Sequence, residues 1–187
     1  MNTSFLKNIT LCGIKHAGKT TAAQQLSKQT GKPCFDTDDA LQELYCSETG
    51  KNMSVREIFR ELGETEFRKL EMCAIRELFS ENDGMITALG GGVLSNPFLT
   101  EEDRSMFGFL CCLDVKDEIA YERIIKNGLP PFLQDKSDPF QALCEMNRTR
   151  RTVFRKQADL LLETTAESTP ETTAEKILAA YRGIENE

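Results

Sequence analysis

The sequence predicts an α/β fold, a three-layer sandwich in which helices cover both faces of a central parallel five-stranded sheet. Strand-like apolar segments alternate with amphipathic segments along the chain, and this alternation is typical of parallel strands joined by helices. The chain has 187 residues, of which 40% are hydrophobic, which is enough to enclose one substantial core. We therefore expect a single domain over residues 1–187.

Five short segments are predicted to form the sheet. Each is an apolar run bounded by glycine, proline or polar residues. The segments are Lys7–Cys12, Cys34–Asp36, Met85–Leu89, Phe107–Val115 and Leu160–Leu162. Because ligands bind at the carboxyl ends of parallel strands, the loops after Cys12, Asp36 and Leu89 are expected to carry the chemistry.

The segments between the strands have the periodicity and end signals of helices. Ser54 and Glu57 form a capping-box pattern, Gly63 interrupts the helix that follows, and Thr169 with Pro170 starts the last helix. The other predicted helices run from Lys19 to about Gln29, Asp38 to about Cys46, about Thr65 to Phe79, Asp117 to Lys126 and Phe140 to Gln157. Residues 127–139 are predicted to form a loop.

Charge, cysteine content and hydropathy exclude several classes of function. A net charge of −7 disfavours non-specific binding of nucleic acid or of anionic membranes. The longest apolar run, Met106–Leu113, is too short to span a bilayer, and residues 1–10 contain no secretion signal. The seven cysteines lack the spacing of a zinc site. We expect a cytoplasmic protein with reduced cysteines.

Residues Gly13–Thr20 read GIKHAGKT and match the pattern G-x4-G-K-[ST] at a predicted strand-to-helix junction. The glycines let consecutive backbone N–H groups point into one hollow, Lys19 brings a cation to the β- and γ-phosphates, and Thr20 offers a hydroxyl to Mg²⁺. A plain glycine turn is the alternative. The position of the pattern favours a nucleoside-triphosphate site.

Two acidic residues follow the second predicted strand. Because side chains alternate along an extended chain, Asp36 and Asp38 point to the same side. There they could bind Mg²⁺ and orient a substrate hydroxyl, or they could simply cap the next helix. Asp114 also ends an apolar strand, but it is a weaker candidate for a metal ligand and could be a helix cap.

Glycines and arginines suggest a second binding region. Gly90–Gly92 could let the backbone approach a ligand closely or could form only a flexible turn. Arg150 lies on the apolar face of its predicted helix, and Arg68 flanks another apolar stripe. An arginine in such a place needs an anion, which a bound ligand or an internal carboxylate such as Glu71 would supply.

Taken together, these residues resemble the shikimate kinase family of P-loop small-molecule kinases. The resemblance rests on motifs in the same order along most of the chain: Gly13–Thr20, Phe35–Asp38, Ile58–Glu71, Ala88–Val93 and Arg150–Asp159. It implies a P-loop NTPase fold of the nucleoside-monophosphate-kinase type. It also implies transfer of the ATP γ-phosphoryl group to the 3-hydroxyl of shikimate, with Mg²⁺ as cofactor, in aromatic amino-acid (chorismate) biosynthesis.

The resemblance implies a role for each matching residue. Lys19, Asp38 and Arg123 would be catalytic, and Thr20 and Asp36 would serve Mg²⁺. The ATP-binding residues would be Gly13, Ala17, Gly18, Lys19, Thr20, Thr21 and Arg123. The shikimate-binding residues would be Asp38, Arg68, Glu71, Gly90, Gly91, Gly92 and Arg150. Helices at about residues 38–80 would hold the substrate, and residues of about 126–139 would form a lid.

The lid departs from the family pattern. The family's lid carries R-P-L-L, in which the arginine reaches the ATP phosphates, whereas residues 130–133 read PPFL with Pro130 in place of that arginine. We expect Arg123 to supply most of the missing charge, with Lys126 or Lys136 assisting. Two other functions remain open: a kinase of another small hydroxy acid such as gluconate, and a nucleotide-binding regulatory module without transfer activity.

Overall fold

The computed structural model describes residues 8–126, 128–129, 131–134 and 136–185. Its centre is a five-stranded sheet in the order β2-β3-β1-β4-β5, and all neighbouring strands are parallel. The strands are β1 (Ile9–Gly13), β2 (Cys34–Asp36), β3 (Ile86–Ala88), β4 (Phe109–Val115) and β5 (Leu160–Thr164). The predicted fold class is confirmed, although Lys7, where we expected the first strand to begin, lies outside the described residues.

Eight helices are found in this part of the chain. They are α1 (Lys19–Thr30), α2 (Thr37–Thr49), α3 (Val55–Glu81), α4 (Glu101–Met106), α5 (Asp117–Lys126), α6 (Pro131–Gln134), α7 (Pro139–Gln157) and α8 (Pro170–Glu185). A 3-10 turn, Val93–Ser95, follows β3. The sequence did not predict this turn, α4 or α6, because such short elements show too little periodicity to recognise. None of the helices described is long and apolar enough to cross a bilayer.

The main core lies against the central strands. All five residues of β1 are buried, as are all residues of β4 except Asp114, which explains why both read as nearly continuous apolar runs. Helix α1 packs beside α8 and against β1, β2 and β3, whereas α7 packs against β1 and β4. Leu26, Ile75 and Ile177 bring α1, α3 and α8 into this one cluster.

A smaller core joins α2 to α3. Leu41 and Tyr45 of α2 pack with Ile58, Phe67 and Ala74 of α3. The Ser54–Glu57 capping box is present at the start of α3, and the helix bends at Gly63, whose φ is 72°. Both features agree with the sequence prediction. The second half of α3 also places Met72, Ile75 and Leu78 in the main core, so this helix connects the two cores.

Candidate active site

A cleft of about 720 Å³ opens where the strands end. The loops after β1, β2 and β3 all contribute to its lining, because the carboxyl ends of parallel strands meet at one edge of a sheet. Except for Gly13 and the two lid lysines, Lys126 and Lys136, every site residue predicted from the sequence lines this cleft. Gly13 is the last residue of β1 and pairs with Leu113 of β4. A Cβ atom at Gly13 would be only 2.0 Å from the carbonyl oxygen of Leu113. Its contribution is therefore to the shape of the loop.

Residues of the loop Gly13–Thr20 line the part of the cleft that the sequence predicts to be its nucleotide end. Gly18 has a φ of 94° and is the N-cap of α1, so the free N–H groups of that helix start inside the loop. The Nζ atom of Lys19 donates to the carbonyl oxygens of Gly13 and Ile14, both at 3.0 Å. Burial lowers the pKa of Lys19. An anion in the hollow would replace the two carbonyl acceptors as the partner of this ammonium group.

Arg123 joins the loop from helix α5. Its Nη1 donates to the carbonyl oxygen of His16 at 2.8 Å, so the guanidinium group lies against the loop. His16 has a φ of 63°. Burial lowers the pKa of its imidazole, and the charges of Lys15, Lys19 and Arg123 lower it further. A phosphate in the loop would therefore lie close to the side chains of Arg123 and Lys19.

Thr20 and Asp36 provide the oxygen atoms best placed for a metal ion. The hydroxyl of Thr20 donates to Oδ2 of Asp36 at 2.9 Å, while Oδ1 of Asp36 accepts from the backbone N–H of Asp38 at 3.0 Å. Asp36 is thus the N-cap of α2, which confirms the capping interpretation, and its other oxygen and the Thr20 hydroxyl leave it a candidate metal ligand. A hydroxyl and a carboxylate beside a phosphate site suit Mg²⁺, which usually takes few protein ligands.

Asp38 stands in the first turn of α2, inside the cleft. Partial loss of hydration, together with the negative charges of Asp36 and Glu71, raises the pKa of its carboxyl to about 6. Gly90 lies so close that a Cβ atom there would be 2.7 Å from Oδ1 of Asp38. A carboxylate that titrates close to neutral pH suits a group that positions a hydroxyl or accepts its proton.

Arg68 is held by residues of its own helix and of the turn after β3. Its Nη1 donates to Oε2 of buried Glu71 at 2.8 Å. Asn96 donates to the same oxygen and to the backbone carbonyl of Arg68, both at 2.8 Å. An internal carboxylate therefore pairs with Arg68, one of the two alternatives left open by the sequence. The sequence did not identify Asn96 as a site residue, because a single asparagine after an unpredicted turn forms no recognisable motif.

Arg150 reaches the cleft from α7. A Cβ atom at Gly91 would be 3.4 Å from its Nη1, so the guanidinium group lies against the glycine segment. Half-buried Arg150 makes no hydrogen bond or ion pair within the part of the chain that the structure describes. Burial and the charge of Arg68 lower its pKa. The guanidinium group is thus available to an anionic ligand.

Several cleft residues were not singled out from the sequence. Lys15 of the loop is half-buried there, and the cleft is also lined by hydroxyl-bearing residues that follow β5, such as Thr165, Ser168 and Thr169. Their polar types are common in any loop, so only the structure shows that they share a site. Lys126 and Lys136 are exposed and lie outside the lining of the cleft, and Pro130 lies outside the described residues.

Asp114 has a structural role. Its carboxylate accepts from Nε of Arg151 at 2.9 Å and 3.0 Å, and Arg151 also donates to Asp117 at 2.8 Å. The network links β4 and α5 to α7, and its three residues are not part of the cleft lining. It supports the choice of Asp36 over Asp114 as the candidate metal ligand.

Comparisons with known proteins agree with this geometry. A sequence model of the family described as shikimate kinase matches residues 15–182. A shikimate kinase of Nostoc sp. is 34% identical over 179 residues, covering 95% of this chain and 92% of that protein. One from Thermodesulfovibrio yellowstonii is 30% identical over 184 residues, covering 97% and 98%. The structure of Acinetobacter baumannii shikimate kinase in complex with shikimate superposes with a TM-score of 0.81 at 26% identity, covering 99% and 98% of the two chains.

Proposed function

The chain belongs to the shikimate kinase family, and we propose on this basis that it transfers the γ-phosphoryl group of ATP to the 3-hydroxyl of shikimate. The observation that carries the proposal is the layout of one cleft. Lys19 and its loop, Arg68 and Arg150 all line this cleft. Asp38 lies in the same cleft, where the charge of Lys19 acts on its carboxylate and Gly90 of the glycine segment lies against it. Such a cleft suits a nucleotide and a small hydroxylated carboxylate.

Lys19 and the N–H groups of the loop would bind the β- and γ-phosphates of ATP. Thr20 and Asp36 would hold Mg²⁺, which supplies charge neutralisation at the β- and γ-oxygens when bound. Arg123, held against the loop at the carbonyl of His16, would add a fixed positive charge. These groups stabilise the negative charge that spreads over the transferring phosphoryl group.

Arg150 and Arg68 would bind the carboxylate of shikimate. A guanidinium group offers two parallel N–H donors that match the geometry of a carboxylate. Arg150 supplies a side chain whose charge is not yet balanced, while Glu71 and Asn96 hold Arg68 in a fixed orientation. The glycine segment Gly90–Gly92 would let the ring approach the backbone.

Asp38 would orient the acceptor hydroxyl and accept its proton. The acceptor oxygen forms its bond to the γ-phosphorus while the bond from that phosphorus to the bridging oxygen of ADP breaks, in line. The raised pKa of Asp38, about 6, makes its carboxylate a better proton acceptor than an ordinary aspartate. The reaction then leaves ADP at the loop and the phosphorylated acid beside the arginines.

The organisation of the chain follows the same proposal. Helices α2 and α3, within residues of about 38–80, would form the substrate-binding region, and residues of about 126–139 would form the lid of one domain.

All seven cysteines are free thiols, which supports a reducing, cytoplasmic location. We propose a monomer whose partners are ATP and shikimate, with no nucleic acid and no membrane.

A coupled assay of ADP release tests the function. The intact protein is assayed with ATP and Mg²⁺ in the presence of shikimate, gluconate or no acceptor, and the product is identified by phosphorus NMR. We expect turnover with shikimate, little with gluconate, and loss of activity when Mg²⁺ is chelated. Preference for gluconate would contradict the proposal, and binding of both substrates without transfer would indicate a regulatory module.

A further inference from the structure

Lys15 is a cation of the cleft to which the mechanism above gives no role. Its side chain is half-buried and lines the cleft. Unlike Lys19, which donates to two backbone carbonyls, Lys15 has no hydrogen bond or ion pair in the described part of the chain. An ammonium group that is partly removed from water needs an anion or polar acceptors, so a ligand is the natural partner of Lys15.

Lys15 lines the same cleft as Asp38 and Arg150, two residues proposed to bind the acceptor, and their charges act on it. Burial lowers the pKa of Lys15, and the positive charges of Arg56 and Arg150 lower it further, while Asp38 acts in the opposite direction. Asp38 in turn is influenced by both Lys19 and Lys15. Both lysines of the loop thus line the cleft close enough to Asp38 for their positive charges to act on its carboxylate.

The reaction brings an anion to this place. During transfer, negative charge moves from ATP to the acceptor, and a phosphate monoester carries a charge of about −1.5 to −2 at neutral pH. Arg150 and Arg68 are already assigned to the carboxylate, and Lys136 is the one cation of residues 127–139 and is exposed. Lys15 is the cation left within the cleft to receive the arriving group.

We propose that Lys15 is a second phosphoryl-binding residue, which contacts the transferring group on the acceptor side and holds it in the phosphorylated product. The proposal rests on the proposed function, since it takes Asp38 as the residue that faces the acceptor hydroxyl. Lys19 binds the γ-phosphoryl group before transfer, and Lys15 binds it during and after transfer. The loop thereby serves both substrates.

The test compares Lys15→Met with Lys15→Arg and with Lys28→Met, a change at an exposed lysine of α1. Calorimetry measures the affinity for shikimate, for shikimate 3-phosphate and for the magnesium complex of ADP. Steady-state kinetics measures kcat and KM, and thermal unfolding checks the fold. Lys15→Met should weaken binding of the phosphorylated acid at least tenfold and lower kcat at least tenfold, with shikimate and nucleotide affinities changed less than about threefold.

Lys15→Arg should recover most of the lost affinity, because it restores a positive charge, and Lys28→Met should behave as the wild type. Unchanged affinity for the phosphorylated acid in a folded Lys15→Met variant would overturn the proposal. An equal loss of affinity for shikimate would also overturn it, since Lys15 would then bind another part of the acceptor. A wild-type protein that does not phosphorylate shikimate would instead refute the proposed function.

Discussion

Gly92 lies against the guanidinium group of Arg68, so that a Cβ atom at residue 92 would be 2.6 Å from Nη1 and 2.8 Å from Nη2. The glycine has a φ of −106°, which any residue can adopt. Glycine is therefore needed at residue 92 because a side chain would not fit, and not because of the backbone conformation. The absence of a side chain at Gly92 allows Arg68 to keep its bond to Glu71 while facing the cleft.

Gly92→Ala should displace Arg68 without unfolding the protein. The added methyl group meets the flexible end of a side chain, which moves more easily than backbone. We expect the KM for shikimate to rise about tenfold, in keeping with the loss of one charge-assisted hydrogen bond, and the KM for ATP to stay unchanged. Gly183→Ala is the control, because a Cβ atom there meets nothing within 4 Å. Equal effects of the two changes would contradict the steric explanation.

Lys19→Met should leave a folded protein with little activity. Its ammonium group lies inside the loop at 3.0 Å from two carbonyl oxygens, the place where the β- and γ-phosphates would bind. Removing one such electrostatic contact should lower kcat by about 10²-fold or more. Thermal unfolding and the ADP-release assay measure the two properties. Near-normal turnover would show that the loop is not the phosphate site.

Arg150→Lys should affect the binding of the two substrates differently. Lysine keeps the charge but loses the planar pair of donors that fits a carboxylate. Calorimetry should show weaker shikimate binding, by about tenfold, with nucleotide affinity little changed. Arg148→Lys, an exposed position of α7, serves as the control. A comparable loss of ATP binding would move Arg150 to the nucleotide end of the cleft.

Our prediction for the lid concerns Arg123, Lys126 and Lys136. Because Arg123 is fixed against the loop through His16, Arg123→Ala should lower kcat/KM by about 10²-fold. Lys126→Ala or Lys136→Ala should lower kcat/KM measurably more than Lys28→Ala does, if the lid closes and brings an exposed lysine to the phosphates. If all three variants match the wild type, another residue supplies the positive charge that the family's lid arginine brings to the ATP phosphates, and Lys15 is the first candidate.

Stability should depend on pH through Asp103. Its carboxylate is buried, accepts from Arg76 at 2.8 Å and 2.9 Å and caps α4 with Thr100. The bonds from Arg76 are the main reason that its pKa falls from 3.8 to about 2. Because the folded protein prefers the ionised form, this stabilisation is complete above pH 4 and is lost as the pH falls toward 2.

Asp103→Asn should therefore lower the free energy of unfolding by about 1–2 kcal/mol at neutral pH. The difference from the wild type should stay constant between pH 7 and 5 and shrink below about pH 4. Denaturant unfolding at several pH values measures it. Glu66→Gln is the control, because its ion pair with Lys69 is exposed on both sides and contributes little. A difference that persists unchanged at pH 3 would exclude ionisation of Asp103 as the cause.

The sequence by itself determined the strands, the long helices and the phosphate loop. These features depend on residues close together in the chain: apolar runs for β1 and β4, the Ser54–Glu57 box for α3, and the GIKHAGKT spacing for the loop. Local sterics and periodicity act over a few residues, so pattern alone predicts them. The glycine segment and both candidate arginines were found in the same way.

Only the tertiary structure decided which of these residues meet, and with what partners. Asn96 orients Arg68 from 28 residues away, and Arg151 pairs with Asp114 across 37 residues. Lys15 looked like any loop lysine until packing placed it in the cleft with Asp38 and Arg150. Contacts of this kind depend on how the whole sheet and its helices pack, and no local pattern encodes the resulting distances between side chains.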